Sequence, residues 1–224
     1  ICVRLVGSEM CIRDRYNDPY FKTKENWKDG YQGGVREKGF SSDIIGDSSI
    51  EWLKKIDRNK PFFMMTHFKA THEPFDYPER HESLNENIVF PEPTSLYEFD
   101  SKESGRNHLG QIVENLTERW QNDLKNEIRR YPGNAIDTRN LTRKEIRSKT
   151  YQKFITDFLR CGAAIDDNIV KILDHLEKEG LIDNTVIIYT SDQGYFLGEH
   201  GYMDKRWFYD CLLYTSDAAD DHHR

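Results

Sequence analysis

Two short apolar runs, each followed at once by polar residues, are the clearest pattern along this chain. The first run, residues 62–66, follows Lys60-Pro61, and the polar stretch 67–74 comes directly after it. The second run, residues 186–190, is rich in β-branched side chains and leads into 191–194, which read Ser-Asp-Gln-Gly. Short apolar runs bounded by turn residues are typical of buried strands. Because ligands of open α/β sheets bind beyond the carboxyl ends of the strands, the polar residues after both runs are candidate site residues.

Helical periodicity accounts for most of the remaining chain. The apolar positions predict helices over about 41–57, over 108–130 and over 143–179, the last of which we expect to stop at Gly180. Ser41, Ser42 and Asp43 form a predicted N-cap cluster for the first helix. Residues 75–100 contain three prolines and are predicted to be a loop over the site. The order helix–strand–helix–strand predicts an α/β fold with part of a largely parallel sheet flanked by helices.

The residues after the second run suggest a metal site. Asp192 and Gln193 offer a carboxylate and an amide oxygen side by side, and a hard cation such as Ca²⁺ takes oxygen ligands. Lys205, further along, would be close enough to hold an anion. An Asp-Gln-Gly after a strand also fits an ordinary turn, but the preceding strand and the following lysine favour a site.

The whole stretch around Asp192 and Gln193 is a more specific signal of function than this dipeptide alone. Residues 190–210 read TSDQGYFLGEHGYMDKRWFYD. This stretch resembles the second metal-binding motif of the type I (formylglycine-dependent) sulfatases, which belong to the alkaline phosphatase superfamily. The resemblance implies that Asp192 and Gln193 are Ca²⁺ ligands and that Lys205 contacts the sulfate. His200, in the same stretch, is a candidate substrate-binding residue.

A second motif of the same family lies upstream. Residues 68–74 read FKATHEP and are similar to the sulfatase motif F-K-A-P-H-x-P, with Thr71 where a proline is often found. By that resemblance His72 binds the sulfate ester and protonates the leaving alcohol, a role that suits a side chain whose ordinary pKa lies near neutrality. Lys69 is a candidate substrate-binding residue, although it could equally be a solvated charge. His67 could equally be a strand-end histidine bonded to backbone.

Two parts of a complete sulfatase site are not found in this sequence. The family needs a cysteine in a C-x-P-S-R or C-x-A-x-R context, oxidised to formylglycine, and none of the four cysteines has that context. The family also carries an earlier Asp-Asp pair on the metal, whereas Asp166-Asp167 lies mid-helix and is interpreted as part of its polar face. We therefore expect residues 16–210 to be a partial, truncated sulfatase catalytic domain of the alkaline-phosphatase-like type. Residues 1–15 and 211–224 are expected to be non-native read-through ends.

Composition restricts the classes of partner. The net charge of −7, with 32% charged residues, argues against nonspecific nucleic-acid binding. No apolar run approaches the roughly 20 residues of a membrane span. The family resemblance implies a sulfated glycan or another small sulfate ester as the substrate, and a periplasmic or secreted location.

Three functions remain open on the sequence. The first is hydrolysis of sulfate esters of carbohydrates. The F-K-A-x-H-E-P motif and the proline-rich loop resemble those of enzymes acting on sulfated glycans, such as N-acetylglucosamine-6-sulfatases and heparan-type enzymes. The second is hydrolysis of phosphate or phosphonate esters by a sister enzyme of the superfamily. The third is a non-catalytic α/β module that binds a cation or a sugar. The identity of the nucleophile would separate the first two, and retention of all the motif residues argues against the third.

Overall fold

The computed structural model describes residues 2–4 (backbone only), 16–21, 35–98, 111–126 and 131–206. Three α-helices lie in these ranges: α1 (Ser41–Leu53), α2 (Asn115–Lys125) and α3 (Arg143–Lys178). The strands are short. They are β1 (Cys2–Arg4), β2 (Tyr20–Phe21), β3 (Val35–Arg36), β4 (Phe63–Met65), β5 (Phe196–Leu197) and β6 (Met203–Asp204). Single 3₁₀ turns occupy Glu79–His81, Ile182–Asn184 and Glu199–Gly201.

Within the described residues, the strands form three two-stranded sheets. Parallel pairing joins β1 to β4, with Val3 opposite Met64. The other two sheets are antiparallel: β2 with β3, and β5 with β6. Within the described ranges, residues 186–190 join no strand, and their side chains are exposed, Val186 to 87% and Ile188 to 80%. The expectation of a second parallel strand there is not confirmed, because a strand needs a hydrogen-bonded neighbour and no described segment supplies one.

The first of two compact units comprises Ile1–Glu86, Arg130–Pro132 and Thr156–Thr185. Its core lies between α1 and the C-terminal part of α3, where Leu53 packs with Ile172 and Leu176. The two helices approach closely at Gly46, since a Cβ placed there would lie 2.3 Å from Oδ1 of Asn168. A second buried cluster joins Tyr16 and Phe40 to Cys161 and Ala164 of α3. This cluster lies beside the segment that follows β4.

The second unit comprises Asn87–Arg129, Gly133–Ile155 and Val186–Arg224. Here the N-terminal part of α3 packs with α2 and with the segment 87–98. Arg147 is buried, pairs with Glu114 at 2.5 Å and donates a hydrogen bond of 3.0 Å to the Leu96 carbonyl. The β5–β6 hairpin packs through Phe196 and Tyr202 against Ile112. The buried arginine is therefore satisfied by a carboxylate and a carbonyl, as a charge inside a core must be.

The predicted cap at the start of α1 is wrong, whereas the predicted end of α3 is confirmed. The N-cap of α1 is Phe40, without a side-chain cap bond, so the predicted Ser41-Ser42-Asp43 cap is wrong. The helix begins where it does because the Ser41 N–H donates to the Tyr16 carbonyl at 2.7 Å, while both serines are buried. At the end of α3 the prediction is confirmed. Gly180 is left-handed (φ 67), and Leu181 N–H returns to the Leu176 carbonyl.

The chain ends are only partly described. Cys2–Arg4 pairs with β4, so at least the backbone of this segment contributes to a sheet. Leu5, Val6, Leu212 and Leu213, on which the read-through interpretation depends, lie outside the described residues. The boundaries at 16 and 210 therefore stay a prediction. Among the residues that the structure describes, no helix combines the length and apolar character needed to cross a membrane.

Candidate functional site

His72 lies in a tight turn after β4. Its N–H donates to the Lys69 carbonyl at 3.0 Å, and its own carbonyl accepts from the Phe75 N–H at 3.1 Å. Phe75 is 1% exposed and packs its ring against Phe158, which anchors the far side of the turn in the core. The buried Phe75 side chain thus anchors the polar turn to the core.

The His72 imidazole is oriented by the next peptide. Its Nδ1 lies 2.8 Å from the Glu73 carbonyl oxygen. Since a carbonyl oxygen can only accept, Nδ1 must carry the hydrogen, and Nε2 is the nitrogen that can take up or release a proton. The side chain is exposed, so a substrate can reach it. This arrangement is compatible with a general acid acting through Nε2.

Two tyrosines contact the same turn. The Tyr16 hydroxyl donates to the His72 carbonyl at 2.5 Å and lies 3.4 Å from that of Lys69. The Lys69 ammonium sits 5.4 Å from the centre of the Tyr16 ring. On the other side, the Tyr131 hydroxyl donates to the Glu73 carboxylate. The sequence patterns did not point to either tyrosine, because neither belongs to a recognisable motif.

In the second unit, the β5–β6 hairpin places Lys205 relative to Asp192 and Gln193. Phe196 pairs with Asp204, so Lys205 follows the last pair at the open end of the hairpin, the end that the chain enters from residues 192–195. The Lys205 N–H donates to the Asp204 carboxylate at 2.6 Å. The hairpin therefore brings Lys205 and the Asp192-Gln193 pair to the same end of one small sheet.

His200 lies at the opposite, closed end of this hairpin. It adopts a left-handed conformation (φ 54), its N–H donates to the Ser95 hydroxyl at 2.9 Å, and its Nδ1 pairs with the Glu98 carboxylate. The predicted loop around residues 75–100 thus contacts the hairpin turn through Ser95 and Glu98. The Glu98 carboxylate thus holds the His200 ring through Nδ1 and leaves Nε2 as its other polar atom. No sequence signal identified Ser95 or Glu98, which are two polar residues in a proline-rich loop.

Asp192 and Gln193 have a donor set that fits a hard cation. The Ser191 hydroxyl bonds the backbone of Gln193, donating to its carbonyl at 2.5 Å, and so fixes the turn. Within the described ranges, neither the Asp192 carboxylate nor the Gln193 amide has a hydrogen-bond partner, so both oxygens can bind a cation. The same ranges contain no group of three or more histidine, cysteine, aspartate or glutamate side chains arranged to hold a metal. The residues fit Ca²⁺ in kind, but they supply only part of its usual six to eight oxygens.

The interpretation of Asp166-Asp167 as the polar face of a helix is confirmed. Asp166 is exposed on α3, and the Asp167 carboxylate accepts from Arg80 at 2.7 Å and lies 3.0 Å from Nε2 of His81. Arg80 also donates twice to Asp43 of α1. These carboxylates therefore tie the 79–81 turn to two helices.

His72 belongs to the first unit, whereas Asp192, Gln193, His200 and Lys205 belong to the second. In the first unit the polar turn follows β4 as the sequence predicted, whereas in the second unit Lys205 follows a β-hairpin that the sequence did not predict. Convergence of the two motifs on one site stays a prediction.

Comparison with known proteins identifies the group to which these motifs belong. The sulfatase family model matches residues 7–218. An N-acetylglucosamine-6-O-sulfatase of Bacteroides thetaiotaomicron is 36% identical over 225 residues, which cover 87% of this chain and 39% of that protein. An N-acetylglucosamine-6-sulfatase of Bos taurus is 24% identical over 172 residues, covering 76% of this chain and 26% of that protein.

One solved structure is similar in both fold and sequence. It is a complex of a protein with its substrate D-glucosamine-2-N,6-O-disulfate, with a TM-score of 0.72 and 35% identity, covering 90% of this chain and 45% of the other. The present chain thus spans less than half the length of these relatives. The family match over nearly the entire sequence, with both motifs in order, shows that the chain belongs to the sulfatase family.

Proposed function

We propose that this chain contributes to a sulfuric ester hydrolase that removes sulfate from a carbohydrate, with a 6-sulfated glucosamine as the substrate class. The observation that supports the proposal is the β5–β6 hairpin: its last pair is Phe196 with Asp204, so Lys205 follows at the end of the sheet that the chain enters from Asp192 and Gln193. An ammonium group next to two oxygen ligands suits an anionic ester held between a cation and a lysine. Relatives whose names specify N-acetylglucosamine 6-sulfate support the substrate class.

The proposed roles follow from the chemistry of each side chain. Lys205 contacts the sulfate, and His72 protonates the leaving alcohol through Nε2 while the Glu73 carbonyl holds Nδ1. Lys69 and His200 bind substrate, the His200 ring being held by Glu98. Asp192 and Gln193 hold Ca²⁺, which when bound neutralises negative charge on the sulfuryl oxygens. The formylglycine nucleophile and the remaining metal ligands would come from residues that this sequence does not contain.

A finer fold proposal accompanies this function. We infer that in the full-length protein residues 186–190 form a strand of a largely parallel sheet of the alkaline-phosphatase-like type, with helices on its faces. The parallel pairing of β1 with β4 and the exposed β-branched run at 186–189 support this inference. A periplasmic or secreted location is proposed on the family resemblance.

The test uses a full-length protein that contains this chain. We expect it to release sulfate from N-acetylglucosamine 6-sulfate, to act far less on the matched 6-phosphate, and to lose turnover when Ca²⁺ is chelated and regain it on Ca²⁺ addition. Preference for the phosphate ester would instead support the sister hydrolase of the superfamily. Binding of the sulfated sugar with no turnover, in a protein that carries the formylglycine cysteine, would support the non-catalytic module.

A further inference from the structure

We propose that Tyr16 is a positioning residue for the active site: its hydroxyl holds the turn that carries His72, and its ring holds the ammonium group of Lys69. The inference rests on the proposed function, because it assumes that His72 and Lys69 act on the substrate. It assigns a role to a side chain 53 residues or more away in sequence from the residues it touches.

The hydroxyl contact is the first step of the argument. Tyr16 donates to the His72 carbonyl at 2.5 Å, while the Lys69 carbonyl lies at 3.4 Å. These two carbonyls mark the ends of the turn that the His72 N–H closes onto Lys69. One phenol therefore contacts both ends of the turn. A phenol has a single proton, so the shorter contact to His72 is the principal bond.

The burial of Tyr16 makes this contact a fixed one. The residue is 2% exposed, and its ring stacks on Phe40 with centroids 5.6 Å apart and planes inclined by 16°. Cys161 and Ala164 of α3 complete the cluster around the ring. Because the ring is packed on several sides, the hydroxyl is kept at the turn, with the Cys161 thiol as a further polar neighbour.

The second role belongs to the ring. The Lys69 ammonium lies 5.4 Å from the ring centroid, within the range of a cation–π contact. A flexible four-carbon side chain is thereby limited to a subset of its conformers. The hydroxyl and the ring thus act on different residues, and substitutions can separate them.

Tyr16 can affect the chemistry of His72 through the peptide group that carries the Glu73 carbonyl. The imidazole Nδ1 bonds the Glu73 carbonyl, so the orientation of the ring depends on where that peptide lies. The His72 carbonyl, which Tyr16 holds, belongs to the peptide immediately before it. Releasing this carbonyl allows the turn to shift and weakens the bond that keeps the hydrogen on Nδ1.

The test of the hydroxyl role is the tautomer of His72, measured by ¹⁵N NMR on the neutral imidazole in the 224-residue chain. We expect the Nδ1–H form in the unaltered chain and a shift towards the Nε2–H form in Tyr16→Phe. The matched control is Tyr151→Phe, since Tyr151 is also buried and its hydroxyl donates to the Pro91 carbonyl at 2.8 Å in the other unit. The control should leave His72 unchanged. An unaltered tautomer in a folded Tyr16→Phe chain would overturn the proposal.

The test of the ring role is the rate at which Lys69 is acetylated by a small active ester, read by mass spectrometry against the other lysines. Tyr16→Phe should leave this rate within about twofold, because the aromatic face remains, whereas Tyr16→Leu should raise it several-fold. Equal rates in all three chains would remove the ring role.

If the substituted chains do not fold, proton exchange in the unaltered chain still tests the hydrogen bond of Tyr16. Exchange of the Tyr16 hydroxyl proton should be at least about tenfold slower than that of exposed Tyr20, because a buried, bonded hydroxyl exchanges only on opening. Exchange as fast as at Tyr20 would refute the hydrogen bond.

Activity of the full-length protein separates the two proposals. Tyr16→Phe should lower kcat on the order of tenfold with little change in KM, since a small displacement of a catalytic group costs rate more than binding. A changed tautomer together with unaltered turnover in His72→Ala would reject the proposed function and leave the positioning by Tyr16 in place. An unchanged tautomer together with an inactive His72→Ala would reject the positioning by Tyr16 and leave the proposed function in place.

Discussion

At the scale of single residues, Lys205 and His72 carry the chemistry that we assign to this chain. Both lie next to backbone that is held in place, Lys205 by the Asp204 carboxylate and His72 by the turn onto Lys69. Loss of a group that stabilises developing charge typically costs two to three orders of magnitude in rate. We expect Lys205→Ala and His72→Ala to lower kcat/KM of the full-length protein by about 10²-fold or more, and Lys69→Ala to do less.

The control for these variants is Lys178→Ala, which removes an exposed lysine from the last turn of α3. It should leave kcat/KM within the error of the assay. Full turnover in His72→Ala would show that the proton comes from another group and that the histidine in the turn is structural.

Cys161 is a buried thiol whose ionisation opposes folding. Burial is the main reason that its pKa rises to about 12 in the folded chain, from an ordinary value of 9.0. Since the raised pKa keeps the folded thiol neutral, its contribution to stability is complete below about pH 9 and is lost as pH rises towards 12. In that window the unfolding free energy should fall by up to about 1.4 kcal/mol per pH unit on account of this group.

The measurement is urea unfolding of the unaltered chain and of Cys161→Ala between about pH 8 and pH 10.5, a range that lies below the pKa of the folded thiol. The alanine chain is less stable at neutral pH because it leaves a cavity, but its stability should decline less steeply with pH. Parallel pH profiles for the two chains would contradict a buried, neutral thiol.

Sequence alone singled out the candidate site residues but not the residues that contact them in the structure. Asp192, Gln193, Lys205 and His72 stand in recognisable local patterns, so they could be singled out without a structure. Tyr16 and Glu98 have no such pattern, because their roles arise only when distant segments meet at the Lys69–His72 turn and at His200. Support of this kind depends on tertiary contacts, which a local motif does not encode.

At the scale of elements, long periodic segments were predicted best. The third helix was expected over 143–179 and occupies Arg143–Lys178, because a stripe sustained over many turns and a glycine stop both mark it. The second helix is shorter than expected, Asn115–Lys125, within a predicted 108–130. The capping serines of α1 were misassigned, because they are buried in its first turn. The short apolar run at 186–190 shows where prediction from hydrophobic periodicity ends. A strand forms only when another segment pairs with it, and periodicity does not show whether such a segment is present.

The crossing of α1 with α3 offers a matched pair of substitutions. At Gly46 an added Cβ would lie 2.3 Å from Oδ1 of Asn168, whose amide donates to Asp43 and to the Ala164 carbonyl. At Gly162 an added Cβ would meet Thr71 at 3.5 Å, an ordinary contact distance. We expect Gly46→Ala to destabilise by about 1–3 kcal/mol through overpacking. Gly162→Ala should stabilise by about 0.5–1 kcal/mol, because alanine favours a helix.

Urea unfolding of both chains measures this pair, each serving as the control for the other. Both replace a glycine within a helix of the same unit, so their intrinsic helix propensities are matched. Equal changes in unfolding free energy would mean that the close approach at Asn168 relaxes without cost.

At the scale of the whole molecule, this chain covers 39% of one sulfatase relative and 45% of a solved one. The nucleophile context is absent from its four cysteines. We expect the 224-residue chain to show no sulfatase activity on aryl or sugar sulfates, with or without Ca²⁺, because loss of a covalent nucleophile costs about 10⁶-fold. Ca²⁺ binding through Asp192 and Gln193 should be weak, because two protein oxygens leave most coordination positions to water.

Sulfate release and calcium titration calorimetry measure the two parts of this expectation. Asp192→Asn is the variant that should remove the residual calcium affinity, and Asp183→Asn, an exposed aspartate outside the motif, is its control. Turnover by the purified chain near the rate of a full-length enzyme would mean that the nucleophile, and the roles assigned around it, are wrong.

The exposed run at 186–189 has a consequence for handling the isolated chain. Residues 185–190 read TVIIYT, a segment with strong β-propensity, no charge and no proline, and Tyr189 and Ile188 are about four-fifths exposed. An exposed run of this composition can pair with the same run of other copies and stack into fibrils. Asp183 and Asp192 are the nearest charges that oppose such stacking. Concentrated preparations of this chain will therefore tend towards insoluble aggregates, and a charged residue at 188 will keep them in solution.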